Sequence, residues 1–260
     1  MSAPIPPYVP GHDLLAGKTV LVTAAAGTGI GFAVAKRCVE EGARVMISDI
    51  HERRLDEAVA ALTEVAGEAL PSQLCNVTSE AEVQALVRGA VERLGHLDVL
   101  INNAGLGGTA NVVDMTDEQW HAVIDITLTG TFRMTRAALP HMLERGRGAI
   151  VNNASVLGWR AQQGQAHYAA AKAGVMALTR CTAVEVAEAG VRINAVAPSL
   201  ATHPFLSKVM PQELLDELAA KEAYGRGAEP WEVANVMVFL ASDYASYMTG
   251  ECVAVSSQRA

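Results

Sequence analysis

The sequence predicts an α/β fold: one parallel, doubly wound sheet with helices on both faces. Three observations carry this. Short β-branched apolar runs alternate with longer amphipathic stretches along nearly the whole chain, the order that builds parallel sheets. Half of the residues are hydrophobic and 18% are charged, too apolar a balance for disorder. Nothing in the composition divides the 260 residues, and that length suits one large α/β domain.

The elements follow in order. A Pro-rich lead, residues 1–16, is read as an N-terminal extension. Lys18–Thr23 is a buried strand by its run of β-branched residues. A Gly-rich turn leads into a helix over Ile30–Glu41, closed by Gly42. Arg44–Ser48 is the second strand, His51–Val65 a helix and Ala69–Cys75 a third strand. Ser79 and Glu82 have capping-box spacing for a helix through Leu94. Leu97–Asn102 is a strand, and helix is expected from Thr116 through Glu144. Gly148–Asn152 is a strand and Gln165–Ala189 one long helix. Val191–Val196, a helix over Gln212–Tyr224, a helix over Pro230–Ser242 and a strand over Glu251–Ser256 complete the chain.

Composition narrows the function. A formal charge of −8 argues against a nucleic-acid surface, which needs concentrated lysine and arginine. Cys38, Cys75, Cys181 and Cys252 show neither CxxC spacing nor paired histidines, so no metal site is expected and reduced thiols are. The lead lacks an apolar core of the secretory type, and no run is long enough for a membrane span. A cytoplasmic setting with no membrane partner is expected.

The chemistry concentrates at the strand ends. The first strand runs into Ala24-Ala25-Ala26-Gly27-Thr28-Gly29-Ile30-Gly31 and then a helix. Glycines there let a pyrophosphate approach the backbone, and the helix offers free N–H groups at its positive end. Gly27, Thr28, Gly29, Ile30 and Gly31 are therefore candidate dinucleotide ligands. Asp49 closes the second strand, where a carboxylate accepts both ribose hydroxyls of NAD and repels the 2′-phosphate of NADP. Arg53 and Arg54 follow it and would favour a phosphate, but are read as solvated helix residues, so NAD is preferred over NADP. Tyr168 and Lys172 stand four apart on one helix, which stacks them on one face. An ammonium beside a phenol favours the phenolate and makes it a usable general base.

In this order, the Gly-rich turn, Asn102-Asn103-Ala104-Gly105, Ser155, Tyr168 with Lys172, and Pro198 resemble the motifs of short-chain dehydrogenase/reductases. The resemblance spans about Gly17 to Ser257. It implies a single Rossmann domain over residues 17–260, with a substrate lid at about 200–224, that moves hydride between NAD and an alcohol/ketone pair. It also implies roles. Ser155 hydrogen-bonds the substrate oxygen, Tyr168 exchanges the proton, and Lys172 holds the nicotinamide ribose and lowers the tyrosine pKa. Asn103, Ala104 and Gly105 line the adenosine side, and Asn76 meets the adenine. Pro198 and Ala201 belong to the loop that meets the carboxamide. The family's habit implies a homotetramer or homodimer, assembled through the long helices and the last strand.

The chain departs from the family pattern in four places. The turn is one residue longer, with Ala24 or Ala25 where the first glycine stands and Gly27 a candidate to supply the lost freedom. Thr127 replaces an asparagine of the proton relay, and reads equally as an ordinary helix residue. Asn76 replaces an aspartate. Ser199 and His203 replace a glycine and a threonine, with Thr202 adjacent. Residues 153–162, the ending Val255–Ala260 and the AAAGTGIG turn resemble dehydrogenases of bacterial steroid breakdown, which act on hydroxy-hexahydroindanone propanoyl-CoA. A CoA-thioester substrate is thereby implied. Phe205, Leu206 and Met210 are candidate lid contacts, Arg160 and Lys208 candidate contacts to CoA, and Trp159 either a substrate contact or a packed loop aromatic. Three alternatives stay open: 3-oxoacyl-thioester reduction (or 3-hydroxyacyl oxidation), a simple polyol or sugar dehydrogenase, and an NAD(H)-binding sensor without turnover.

Overall fold

Continuous apolar runs become strands buried on both faces. The computed structural model describes residues 2–202, 206 and 212–258. Its strands are β1 (Thr19–Thr23), β2 (Arg44–Asp49), β3 (Ser72–Leu74), β4 (Val99–Asn102), β5 (Gly148–Asn153), β6 (Val191–Pro198) and β7 (Cys252–Val255). They form a seven-stranded sheet in the order β3-β2-β1-β4-β5-β6-β7, with every pairing parallel. The helices are α1 (Ile30–Glu40), α2 (Glu52–Ala66), α3 (Glu80–Leu94), α4 (Asp117–Ile124), α5 (Gly130–Arg145), α6 (Ala166–Val186), α7 (Gln212–Lys221) and α8 (Pro230–Ala241).

Strand alternation divides the apolar residues between two cores. Val20 and Val22 of β1 join Ile47, Val151 and Val196 against Val34 of α1, Leu62 of α2 and Met237 of α8. Leu21, one residue out of phase, joins Met46, Ile150 and Ile193 against Leu86 of α3 and Met134 of α5. The strand order reverses between β1 and β4, so a crevice opens there beyond the carboxyl ends of the strands, the place where open α/β sheets bind ligands.

The sequence expectations hold for every strand and for most helices, with instructive shifts. The third strand covers Ser72–Leu74 rather than Ala69–Cys75, because an edge strand pairs on one side only. Helix from Thr116 to Glu144 is interrupted by a π-helical turn at Asp125–Thr129, and the long helix ends at Val186 in a 3₁₀ turn over Ala187–Ala189. The expected box at Ser79 is half formed. Ser79 accepts from Glu82 N at 3.4 Å, but the Glu82 carboxylate accepts from Asn76 N at 2.8 Å. A complete box caps α4 instead, where Thr116 Oγ1 accepts from Gln119 N and Gln119 Oε1 from Thr116 N. Thr116→Ala should cost about 1 kcal/mol and lower Tm by about 2–4 °C, as read by calorimetry.

The N-terminal extension is tied down. Tyr8 packs edge-on against Trp231 of α8 at 5.3 Å and hydrogen-bonds Glu40. The buried Glu41 carboxylate accepts from His12 N and Leu14 N and pairs with Arg37 at 2.7 Å. Among the described residues, no helix is long and apolar enough to cross a membrane.

Candidate active site

The turn after β1 builds the phosphate end of the crevice. Ala24 takes φ +50° and Gly27 φ +94°, so Ala24 stands where the family pattern has its first glycine, and Gly27 supplies the freedom that the longer turn needs. A left-handed alanine costs about 1–2 kcal/mol, so neighbours must hold it: the Ala24 carbonyl accepts from Asn103 Nδ2 at 2.9 Å. Gly31 lies beneath both, and a Cβ there would sit 2.2 Å from Ala24 O and 2.4 Å from Asn103 Nδ2. Thr23 Oγ1 accepts from Asn103 N and Ala104 N, fixing the end of β4 to β1. Helix α1 starts with no side-chain cap at Gly29, leaving its amides for an anion. These residues fit a dinucleotide pyrophosphate.

Asp49 is 7% exposed at the tip of β2. Its Oδ2 accepts from Ala26 N at 3.1 Å and its Oδ1 from His51 N at 3.0 Å. The lengthened turn thus folds back onto the acid, and each oxygen keeps a second lone pair for a ribose hydroxyl. Burial raises the carboxyl above its ordinary range, opposed by the Ala26 amide and by Arg54. Arg54 Nη2 lies 4.0 Å from Asp49 Oδ1, while Arg53 pairs with Glu57 on the surface. Arg53 is the solvated helix residue expected; Arg54 is half-buried beside Asp49. Asn76 is differently engaged than expected: its Oδ1 accepts from Thr78 N and Thr78 Oγ1, an Asx turn that occupies the oxygen meant for an adenine amine.

The catalytic candidates converge beyond β4 and β5. Ser155 is buried just after β5, its Oγ accepting from Leu157 N at 3.2 Å and near enough to the Tyr168 hydroxyl to lower its pKa. Lys172 Nζ lies 5.5 Å from the Tyr168 ring centroid and donates to Asn153 O at 2.5 Å. A Cβ on Gly105 would lie 3.5 Å from Lys172 Nζ and 3.7 Å from Thr127 Oγ1, so the π turn delivers Thr127 beside the lysine. There the Thr127 hydroxyl closes on the backbone, accepting from Leu106 N and donating to Leu106 O.

The charges run against expectation. Burial pushes the Tyr168 hydroxyl up to about 12, with the Ser155 hydrogen bond pulling the other way. Burial pulls the Lys172 ammonium down to about 8. Desolvation is the largest cause of the phenol's shift, and only the Ser155 hydroxyl pulls against it. Tyr168 is therefore protonated at rest.

Other expected contacts separate. Pro198 ends β6 opposite Val255, and Ala201 bridges Ala228, with Thr202 N and Oγ1 both donating to Ala228 O. Trp159 and Arg160 line an open cleft of about 630 Å³ with Ala166, Ala169 and Ala173, the face of α6 turned from Tyr168 and Lys172; Arg160 hydrogen-bonds Gln258. His203, Phe205, Lys208 and Met210 lie outside the described residues. Missed by the motifs was Asn153, for which the repeated doublets Asn102-Asn103 and Asn152-Asn153 were the available signal.

Comparison with known proteins agrees with this geometry. Residues 24–257 match the family described as enoyl-(acyl carrier protein) reductase. A relative from Mycobacterium tuberculosis, 61% identical over 97% of both chains, is named (5R,7aS)-5-hydroxy-7a-methyl-1-oxo-2,3,5,6,7,7a-hexahydro-1H-indene-carboxyl-CoA reductase. The crystal structure of a short chain dehydrogenase from Mycobacterium smegmatis superposes with TM-score 0.87 at 57% identity over 98% of both chains. A variant actinorhodin polyketide ketoreductase, crystallised with NADPH, has TM-score 0.88 at 36% identity, covering 92% of this chain and 96% of its own. With its seven-stranded Rossmann sheet and dehydrogenase relatives, the chain is an alcohol dehydrogenase/ketoreductase, and it belongs to the short-chain dehydrogenase/reductase family.

Proposed function

We propose that the protein interconverts a ring hydroxyl and a ketone on a hydroxy-hexahydroindanone CoA thioester, with NAD as its cofactor. The observation that carries the chemistry is the convergence of Ser155, Tyr168 and Lys172 at one end of a crevice whose other end is Asp49 and the β1 turn. The substrate class rests on the M. tuberculosis relative's name. That name sets the thioester carboxyl on the ring, where the sequence reading had a propanoyl arm.

The mechanism follows from the side chains. Ser155 holds the substrate oxygen beside the Tyr168 hydroxyl. For reduction the phenol, protonated at rest, gives its proton to the forming alkoxide; for oxidation it takes the proton back. The bound nicotinamide supplies or receives the hydride. Lys172, fixed to Asn153 O, holds the nicotinamide ribose and places positive charge behind the tyrosine. NAD is favoured over NADP because the Asp49 carboxylate at the tip of β2 would accept the ribose hydroxyls and repel a 2′-phosphate.

Several further readings belong to the same proposal. Residues 17–260 work as one domain with a lid at about 200–224, in a cytoplasmic setting. Copies associate through the faces of α5 and α6, where Phe132 and Val184 are exposed, and through the edge strand β7.

The test is NAD(P)H formation or consumption with indanone carboxyl-CoA and propanoyl-CoA thioesters, straight-chain 3-hydroxyacyl thioesters and simple secondary alcohols. Turnover of the ring thioesters with NAD, at least about 10²-fold faster in kcat/KM than any other pair, is expected. Turnover of the straight-chain thioesters alone would move the assignment to acyl-thioester reduction. NADH binding without any turnover would favour a sensor.

A further inference from the structure

Strands β4 and β5 each end in two asparagines, and the register sets Asn102 opposite Asn152. Alternation along a strand sends the members of each doublet to opposite faces. The first members join a buried ladder inside the sheet: Asn102 Nδ2 donates to Asn152 Oδ1 at 2.9 Å, and Asn152 Nδ2 to Thr179 Oγ1 at 2.9 Å. That ladder is structural.

The second members do something else. Asn153 Nδ2 donates to Asn103 Oδ1 at 2.9 Å, and Asn103 Nδ2 donates to the carbonyl of Ala24 at 2.9 Å, the left-handed residue of the phosphate turn. At the other end, the Asn153 main-chain carbonyl accepts from Lys172 Nζ. One chain of hydrogen bonds therefore crosses the tips of three adjacent strands, from the lysine on α6 to the pyrophosphate turn. Asn153 is its central link. Its remaining side-chain atom, Oδ1, is buried with no hydrogen-bond partner among the described residues. A buried acceptor without a donor is destabilising until one arrives, and this one lies within the residue that holds Lys172.

We propose that Asn153 is a positioning residue for cofactor and lysine together: its amide N–H fixes the pyrophosphate turn through Asn103, its main-chain carbonyl fixes Lys172, and its unpartnered amide oxygen receives an N–H or O–H donor from the nicotinamide end of the dinucleotide. This rests on the reading of the crevice as a nicotinamide dinucleotide site. It makes the two halves of that site interdependent, because the bond that steadies the turn and the oxygen that meets the nicotinamide end sit on one amide group. Losing the side chain then weakens any ligand of the turn, and weakens a ligand carrying the nicotinamide end more.

The experiment is a binding titration, free of any substrate. Wild type, Asn153→Leu (similar in size, without polar atoms) and Asn153→Ser are titrated with NADH, followed by its bound fluorescence, and with ADP, which lacks the nicotinamide half. The expected result is a rise of about 30-fold in Kd for NADH and about fivefold for ADP, with an altered emission of bound NADH. The cofactor-free melting temperature should fall by no more than the loss of one hydrogen bond allows, about 2–4 °C. Unchanged NADH affinity overturns the proposal, as does an ADP affinity untouched by the substitutions or weakened as much as that of NADH. A fall well beyond that in both variants also overturns it, by making Asn153 structural. Should Asn153→Leu fail to fold, Asn153→Ser carries the test alone. A wild type that binds neither nucleotide overturns the cofactor reading along with this one, whereas normal wild-type binding with unaltered variants overturns this one alone.

Discussion

Tyr168→Phe should lower kcat by about 10²–10⁴-fold, the range of a lost general acid–base group, while NADH binds as in the wild type. The substitution removes only the hydroxyl, so the ring keeps its place 5.5 Å from Lys172 Nζ and Ser155 keeps its bond from Leu157 N. Stopped-flow or steady-state rates paired with NADH titration make the check. A variant that retains wild-type turnover would remove Tyr168 from the chemistry. The same residue fixes the pH dependence. With its hydroxyl held up to about 12, the phenol is protonated throughout the neutral range, so ketone reduction should be nearly flat there. Alcohol oxidation needs the phenolate, whose fraction rises about tenfold per pH unit below the pKa. Oxidation should therefore climb with pH, flattening earlier than about 12 to the degree that bound oxidised nicotinamide and Lys172 favour the anion. Lys172 itself, pulled down to about 8 by burial, loses its charge as pH rises through that value. A bend near pH 8 in the wild-type oxidation profile, absent from Lys172→Arg, would report it.

Much of this was legible in the sequence, for physical reasons that also explain the rest. The runs in β1, β2, β4 and β5 are apolar on both faces, and only a sheet covered on both sides asks for that. Tyr168 and Lys172 were readable because a helix turns a spacing of four into one face. The π turn at Asp125–Thr129 was not, since one extra residue in a turn leaves hydrophobic periodicity almost unchanged, yet it decides where Thr127 points. The Asx turn at Asn76 was overlooked although Thr78, two residues on, is its usual mark; a family role drew attention from a local hydrogen bond. Asn153 was signalled only by the repeated doublets Asn102-Asn103 and Asn152-Asn153, which do not say what it meets. Its partners, Asn103 and Lys172, come from a different strand and from a helix, and no spacing within one element encodes such a meeting. The net upward shift of the tyrosine was not readable either, because burial is a property of the assembled crevice and not of the YxxxK spacing.

Replacing Asp49 by serine should invert the cofactor preference, raising the NADP-to-NAD ratio of kcat/KM by about 10²-fold or more. Two terms add. A hydrogen bond to a charged acceptor contributes about 1.5–3 kcal/mol, so losing the carboxylate weakens NAD about tenfold or more at 1.4 kcal/mol per decade. Removing the negative charge also relieves its repulsion of a 2′-phosphate, with the Arg54 guanidinium 4.0 Å from that carboxylate in the wild type. The serine must leave the turn in place for the test to be fair. Asp49 accepts from Ala26 N, so Asp49→Asn, which keeps an oxygen for that amide, is the control for turn geometry. It should lose the NAD preference in large part without loss of thermal stability. The raised carboxyl pKa of Asp49, caused by burial, supplies an independent check with a definite sign. Protonation neutralises the acid at a higher pH than for an exposed aspartate, so the wild-type NADP-to-NAD ratio should rise on acidification, and the Asn variant should show no such rise. If Asp49→Ser leaves the KM for NAD unchanged, the carboxylate does not meet the ribose; its bonds to Ala26 and His51 would then be its whole role, and the preference for NAD would have to come from elsewhere in the crevice.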